Sequence, residues 1–192
     1  DILYFYGENT NITSQFTQAL PAIPAGYEFD FVNASALRDV IQVKNKQITN
    51  PHGGTYAVIV LDESAKQMTL PTLQRLLALA KLGAPVAGQE PLYSPSLLDP
   101  VDVFRTTVAA LKKLPNVQFG GDLARLLTQL KRDPDVRMSN QQAEILYVHR
   151  KTSTADSCSC PSLPSPATPP LASSSQCQRK VGCQLSLHAL HL

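Results

Sequence analysis

Residues 56–88, YAVIVLDESAKQMTLPTLQRLLALAKLGAPVAG, decide the fold. Tyr56 to Leu61 is apolar throughout, the mark of a strand covered on both faces, which is the situation of a central strand in a parallel sheet. Asp62 closes it. Pro71 then stands at the start of a helix, behind Thr69 or Leu70. Leu73, Leu76, Leu77, Leu79 and Ala80 recur at helical spacing, and Gly83 supplies the C-terminal cap. Pro85 to Gly88 resumes an extended run. Strand, helix and strand in so short a span predict a crossover unit joining two parallel strands.

The same alternation extends both ways. Toward the N-terminus, Ile2 to Tyr6 is a short apolar strand ended by Gly7. Thr13 or Ser14 caps a helix to Leu20, ended by Pro21 and Pro24. Glu28 to Val32 reads as a strand running into a helical turn over Ala34 to Arg38, with Asn33 or Ser35 as its cap. Ile41 to Thr49 predicts a hairpin turning at Asn45-Lys46. Toward the C-terminus, the loop QEPLYSPSLLDP (89–100) leads to a helix over Val101 to Leu114 and a strand over Val117 to Phe119. Gly120-Gly121-Asp122 opens a helix over Leu123 to Lys131. A polar turn, RDPDVRMSNQQ (132–142), precedes a strand over Ala143 to Arg150. This order predicts an α/β fold with a doubly wound, mainly parallel sheet over residues 1–140.

The chain has 192 residues, 43% of them hydrophobic and 17% charged, with a formal net charge of +2. Charge so small and so mixed argues for neither nucleic acid nor membrane as a partner. No run approaches the ~18 apolar residues of a membrane span. The opening Asp1-Ile2-Leu3-Tyr4 carries no signal peptide pattern and enters a strand directly, which predicts a piece of a longer protein. After residue 151 the composition changes. Cys158, Cys160, Cys177 and Cys183 all lie there, with five of the fifteen prolines and a dense run of serines. Residues 152–192 are therefore expected to form a disordered, low-complexity tail.

In a doubly wound sheet, ligands sit at the carboxyl ends of the strands. The loop YGENTN after the first strand has one glycine, too few for a phosphate cradle. Glu8, Asp30, Asp62, Glu63 and Glu90 stand at or after strand ends, where a carboxylate pair for glycosidic cleavage would stand, although such residues also cap helices. Ser64, Ser94 and Ser96 lack a nucleophile elbow. His52 and His149 do not complete a triad with them. His149-Arg150-Lys151 reads as a strand edge meeting solvent. The tail cysteines, with His188 and His191, offer zinc-type ligands, but their spacings of C-x-C, sixteen intervening residues and C-x5-C fit no compact zinc module. The expectation is no metal site there. If the chain binds a small molecule or sugar, the loops Gly7 to Thr13 and Gly88 to Leu97 are the place. Glu8, Asn9, Asn11, Glu90 and Ser94 are the candidate substrate-binding residues, and no catalytic residue is assigned.

The stretches YFYGENTNIT, GYEFDFVNASAL, YAVIVLDESAKQMTLPTLQRLLALAKLGAPVAGQEPLYSPSL and ILYVHRKTSTAD occur in this order. Together they resemble the part of glycoside hydrolase family 106, the bacterial α-L-rhamnosidase type, that follows its catalytic barrel. The resemblance covers residues 1–156. It implies hydrolysis of terminal α-L-rhamnosyl groups, with inversion, by two glutamates in a calcium-bearing (β/α)8 barrel that precedes this segment. The enzyme as a whole would be periplasmic or secreted. Residues 1–140 would be a flavodoxin-like or class I amidotransferase-like accessory domain, noncatalytic and without a cofactor of its own. Residues 141–151 would be the first strand of a following β-sandwich. The partners implied are that barrel, that sandwich and a carbohydrate substrate. Where such a strand would continue, this chain reads SCSCPSLPSP. One account is a slip of reading frame, since Ser-Cys-Ser-Cys written TCC-TGC-TCC-TGC becomes a run of leucine codons one nucleotide over; the DNA decides it. The other is a Pro/Ser linker, which predicts a further domain beyond it.

Overall fold

The computed structural model describes residues 1–9, 21–138, 148–151, 156–159, 177–179 and 184–185. The chain divides into two units, one of residues 1–24 and 29–132, the other of residues 25–28 and 133–192. In the first unit the elements run β1 (Ile2–Phe5), β2 (Phe29–Val32), α1 (Ala34–Asp39), β3 (Gln42–Lys44), β4 (Gln47–Thr49), β5 (Thr55–Tyr56) and β6 (Val58–Leu61). A 3-10 turn (Glu63–Lys66), α2 (Leu70–Lys81), β7 (Val86–Gly88), α3 (Val101–Lys112), β8 (Val117–Phe119) and α4 (Leu123–Gln129) follow.

The main sheet has five strands in the order β2-β1-β6-β7-β8, every pair parallel. The expected α/β architecture with a mainly parallel sheet is present, and β6 is central as its apolar run requires. Alternation along the strands splits the core. Leu3, Phe5, Ile59, Leu61 and Val86 belong to one apolar cluster with Leu73, Leu76 and Leu79 of α2 and Phe104 and Leu111 of α3. Ile2 and Val58 point the other way and are equally inaccessible to solvent. On that face Tyr4, Tyr6, Phe29 and Phe31 pack edge to face, with ring centroids 5.2 to 6.1 Å apart. Leu123 and Leu126 of α4 border Val60 and Ala87 on the same face.

The caps follow local chemistry. The Asn33 side chain accepts the Ala36 N–H at 2.8 Å at the start of α1, so Asn33 rather than Ser35 is the cap. Asp122 does the same for α4, accepting the Ala124 N–H at 2.8 Å. Asn45 and Lys46 take positive φ of 52° and 63°, the turn that matches the twist of a two-residue hairpin between β3 and β4. No helix among the described residues is long and apolar enough to cross a membrane.

Two sequence expectations need correction. Tyr56 to Leu61 is not one strand: Thr55–Tyr56 pairs antiparallel with β4, and only from Val58 does the chain join the main sheet. Continuous hydrophobicity records burial, not which neighbour supplies the hydrogen bonds. The polar turn after α4 contains β9 (Val136–Met138). Of residues 152–192, the described ones are Asp156–Ser159, Cys177–Arg179 and Gln184–Leu185, each a short strand, and the rest of the expected tail lies outside the described residues. The second unit has β10 (Val148–Lys151), β11 (Asp156–Ser159), β12 (Cys177–Arg179) and β13 (Gln184–Leu185), with β9 antiparallel to β12, β10 antiparallel to β11 and β11 parallel to β13. Pairings of two to four residues consist of backbone hydrogen bonds and leave no periodic side-chain signature. The helix expected over Thr13 to Leu20, and residues 143–147 of the strand expected over Ala143 to Arg150, lie outside the described residues.

Candidate functional site

The strand order reverses between β1 and β6, and in an open, mainly parallel α/β sheet the crevice outside the carboxyl ends at such a point is where ligands are received. Here the chain's own side chains enter it. Glu8 reaches from the loop after β1 to the N-terminus of α2. One of its oxygens accepts the Thr69 N–H, and the other accepts the hydroxyls of Thr69 and Thr72 at 2.8 and 2.7 Å. Asp99 arrives from the loop before α3 and accepts the Leu70 N–H at 2.7 Å and the Ser94 hydroxyl. A helix N-terminus exposes unpaired N–H groups and partial positive charge, which is why phosphates bind there. At α2 two carboxylates hold that place.

The rest of the crevice is tied in the same way. The Tyr4 hydroxyl and the Ser64 N–H both donate to Asp62, the latter at 2.8 Å, and the Ser64 hydroxyl donates to the Tyr6 carbonyl at 2.8 Å. Asn9 donates to Gln67, whose amide donates in turn to the Tyr93 hydroxyl. Burial works to raise the Asp62 carboxyl, but the hydrogen bonds from Ser64 and Tyr4 outweigh it and hold the group below the usual carboxylate range. Tyr4 is pushed well up by burial and then by Asp62. Tyr56 is pushed up to about 12 by burial and by its 2.8 Å hydrogen bond to Asp30.

These two phenols yield a prediction. A tyrosine whose folded pKa is raised contributes stability that is present below about pH 10 and lost as pH rises through the folded value. Absorbance titration should therefore show Tyr56 ionising near pH 12 and Tyr4 later still. Tyr56→Phe and Tyr4→Phe should each delete one late phase; early titration of both would refute the paired geometry.

An open groove of about 410 Å³ lies beside the crevice, at the carboxyl ends of β6, β7 and β8, bordered by Glu63, Gly88, Gln89, Glu90 and Phe119. Glu63 is exposed. Glu90 meets Lys112 of α3 with both oxygens at 2.9 Å, a pair open enough to water to add little stability. Gln89 donates to the Glu90 carbonyl at 2.8 Å, and the half-buried Phe119 offers an apolar wall. Such a groove can hold a polar ring by hydrogen bonds and one apolar contact.

Of the residues proposed from sequence, Glu8, Asn9 and Ser94 are bonded into the framework, Glu90 lines the groove, and Asn11 lies outside the described residues. Gln89, Phe119 and the two threonines that meet Glu8 carried no motif that would have singled them out. The sequence signals near the groove were the strand-end carboxylates Glu63 and Glu90 and the loop from Gly88 that holds Gln89.

Residues 1–158 match the family model of glycoside hydrolase family 106, described as alpha-L-rhamnosidase. The chain belongs to this family. A Formosa agariphila protein that carries the name beta-glucuronidase is 32% identical over 164 residues, covering 81% of this chain and 13% of its own length. The solved structure of a rhamnosidase from Novosphingobium sp. PP1Y aligns with a TM-score of 0.70 at 26% identity, over 81% of this chain and 16% of the other. The chain thus spans a small part of the length of the relatives it matches. The rhamnosidase family resemblance drawn from four quoted stretches is correct, and its fold is a mixed α/β one.

Proposed function

We propose that the α/β domain over residues 1–140 is a noncatalytic accessory domain of a longer glycoside hydrolase that removes terminal α-L-rhamnosyl groups from glycosides or polysaccharides. The observation that carries this reading is the family match over residues 1–158 to proteins of which the chain spans only 13–16%. The winding is read as flavodoxin-like, since β2-β1-β6-β7-β8 becomes the order 2-1-3-4-5 once the small antiparallel strands are set aside.

The chemistry of the carboxylates supports the same reading. An inverting glycosidase needs one carboxyl kept protonated in an apolar pocket and a second placed across a water, roughly 6.5–9.5 Å away. Glu8, Asp62 and Asp99 serve as caps, Glu63 is exposed, and Glu90 engages Lys112. In this proposal the two catalytic glutamates and the calcium belong to a (β/α)8 barrel earlier in the polypeptide. Residues 141–151 enter a β-sandwich that follows, and the enzyme works in the periplasm or outside the cell.

A second reading rests on the groove: the domain binds a sugar there, through Glu63, Gln89 and Glu90. One set of measurements separates the two. The 192-residue chain is expected to give no turnover of an aryl α-L-rhamnoside and no heat with rhamnose or rhamnosyl disaccharides in calorimetry. Turnover above the blank would refute the noncatalytic assignment. Saturable heat that Glu90→Gln removes would favour the sugar-binding reading.

A further inference from the structure

Among the described residues, six of the eight large apolar side chains with substantial exposure fall between positions 92 and 103. Leu97 and Leu98 are almost completely exposed, at 103% and 92%, and Leu92 and Val101 flank them at 59% and 61%. Scattered apolar residues on a surface are ordinary; a cluster of this kind marks a surface that something covers. Leu92, Tyr93, Leu97 and Val101 of this cluster also border a concavity of about 280 Å³, whose rim includes Asp99 and Arg105.

The segment is held in place. The Leu92 and Tyr93 N–H groups both donate to the Lys66 carbonyl, at 2.9 and 3.2 Å, and the Tyr93 carbonyl accepts the Met68 N–H at 3.1 Å. The Ser96 N–H donates to the Ser94 hydroxyl oxygen at 3.1 Å, and the Leu98 N–H donates to the Ser96 hydroxyl oxygen at 3.2 Å. Ser94 itself donates to Asp99, which is anchored on the Leu70 N–H at 2.7 Å. Four hydroxyl and carboxylate contacts thus fix a turn whose outward side chains are leucines. A flexible loop would fold such leucines inward. A turn fixed with them outward meets a partner without the entropic cost of ordering, which is how interface anchors are built.

We propose that the 92–98 loop and the first turn of α3 seat another domain of the longer rhamnosidase-family polypeptide. This rests on the reading of the chain as a domain of a larger enzyme. The occupant follows from length: the matched segment is 16% of the Novosphingobium rhamnosidase and 13% of the Formosa protein, so most of the polypeptide in its relatives lies outside it. A sugar is a poor fit, because the outward atoms at 97, 98 and 101 are hydrocarbon and offer no hydrogen bonds.

Two measurements test the proposal. In the solved Novosphingobium enzyme, the positions aligned with Leu92, Leu97, Leu98 and Val101 are expected to lie against residues outside the matched segment. Exposure of all four to solvent in that whole enzyme overturns the proposal and leaves the family assignment, which rests on sequence, untouched. In the 192-residue chain itself, light scattering is expected to give a monomer that binds anilinonaphthalene sulfonate. The double substitution Leu97→Asp with Leu98→Asp should at least halve the dye fluorescence while circular dichroism stays unchanged. Unchanged dye fluorescence overturns the proposal, as does a dimer that the double substitution dissolves, which would make a second copy the occupant. Should the aspartates disturb folding, Leu97→Ser with Leu98→Ser serves the same test. Hydrolysis of a rhamnoside by the chain would strike at the noncatalytic reading instead, without bearing on this surface.

Discussion

Gly88→Ala is expected to destabilise the first unit by about 3 kcal/mol, as the sum of backbone strain and broken hydrogen bonds. Gly88 ends β7 with φ of +102°, a conformation that L side chains rarely adopt, and it lies directly beside Leu61 in the parallel register of β6 and β7. A Cβ there would sit 2.3 Å from the Leu61 carbonyl oxygen and 2.9 Å from its nitrogen. Neither atom can swing aside, because both are backbone of the central strand. These two strands would have to part where Gln89 N–H donates to that same carbonyl at 3.0 Å, and the shift would also strain the β8 side, where Gly120 N–H donates to the Gly88 carbonyl at 2.9 Å. Thermal unfolding should fall by roughly 6–12 °C, taking 2–4 °C per kcal/mol for a chain of this size. A variant that melts within a degree of the parent would mean that β7 does not lie as described. The same substitution narrows the groove bordered by Glu63 and Glu90, so sugar-binding heat, if the second reading holds, should vanish with it.

Glu8→Ala should cost about 2–3 kcal/mol, the range for losing hydrogen bonds to a charged acceptor and stranding their donors. The Thr69 N–H and the hydroxyls of Thr69 and Thr72 would lose their acceptor together, at the end of the helix that supplies Leu73, Leu76 and Leu79 to the core. Thr72 is fully buried, so water does not replace the carboxylate for it. Glu8→Gln keeps one acceptor oxygen and should recover part of the loss. This pattern distinguishes a cap from a ligand-binding residue. A group that awaits a substrate is removed at little cost to stability, whereas a group that completes a helix is not. An unchanged melting temperature in Glu8→Ala would return Glu8 to the list of binding residues.

Much of the first unit was legible before any coordinates. Each main-sheet strand sits within a residue or two of its apolar run. Helices α1 and α4 start at the residues whose chemistry suits a cap, Asn33 and Asp122, and α2 ends before Gly83. Asn45-Lys46 turned the hairpin as expected. These features depend on near neighbours along the chain. The break between Thr55–Tyr56 and Val58–Leu61 does not, since it depends on β4 claiming the first pair and β1 the second. The strand at Val136–Met138 escaped notice for the same reason: its partner, Cys177–Arg179, lies far along the chain.

The site divided along that line as well. Position after a strand named Glu8, Asp62, Glu63 and Glu90, but position is common to caps, ion pairs and open carboxylates. Asp62 caps a turn through Ser64 two residues on, but its bond from Tyr4 spans 58 residues, the Glu8 cap on Thr72 spans 64, and the Glu90 pair with Lys112 spans 22. By itself, then, the sequence determined the α/β class, the central place of the apolar strand and the rhamnosidase family, because hydrophobic period, capping residues and family stretches are local patterns. It took the tertiary structure to show that Glu8 and Asp99 hold the N-terminus of α2, that Glu90 at the edge of the groove pairs with Lys112, and that Leu97 and Leu98 stand outward. Those outcomes depend on which distant backbone amides and side chains a fold brings within about 3 Å, the reach of a hydrogen bond.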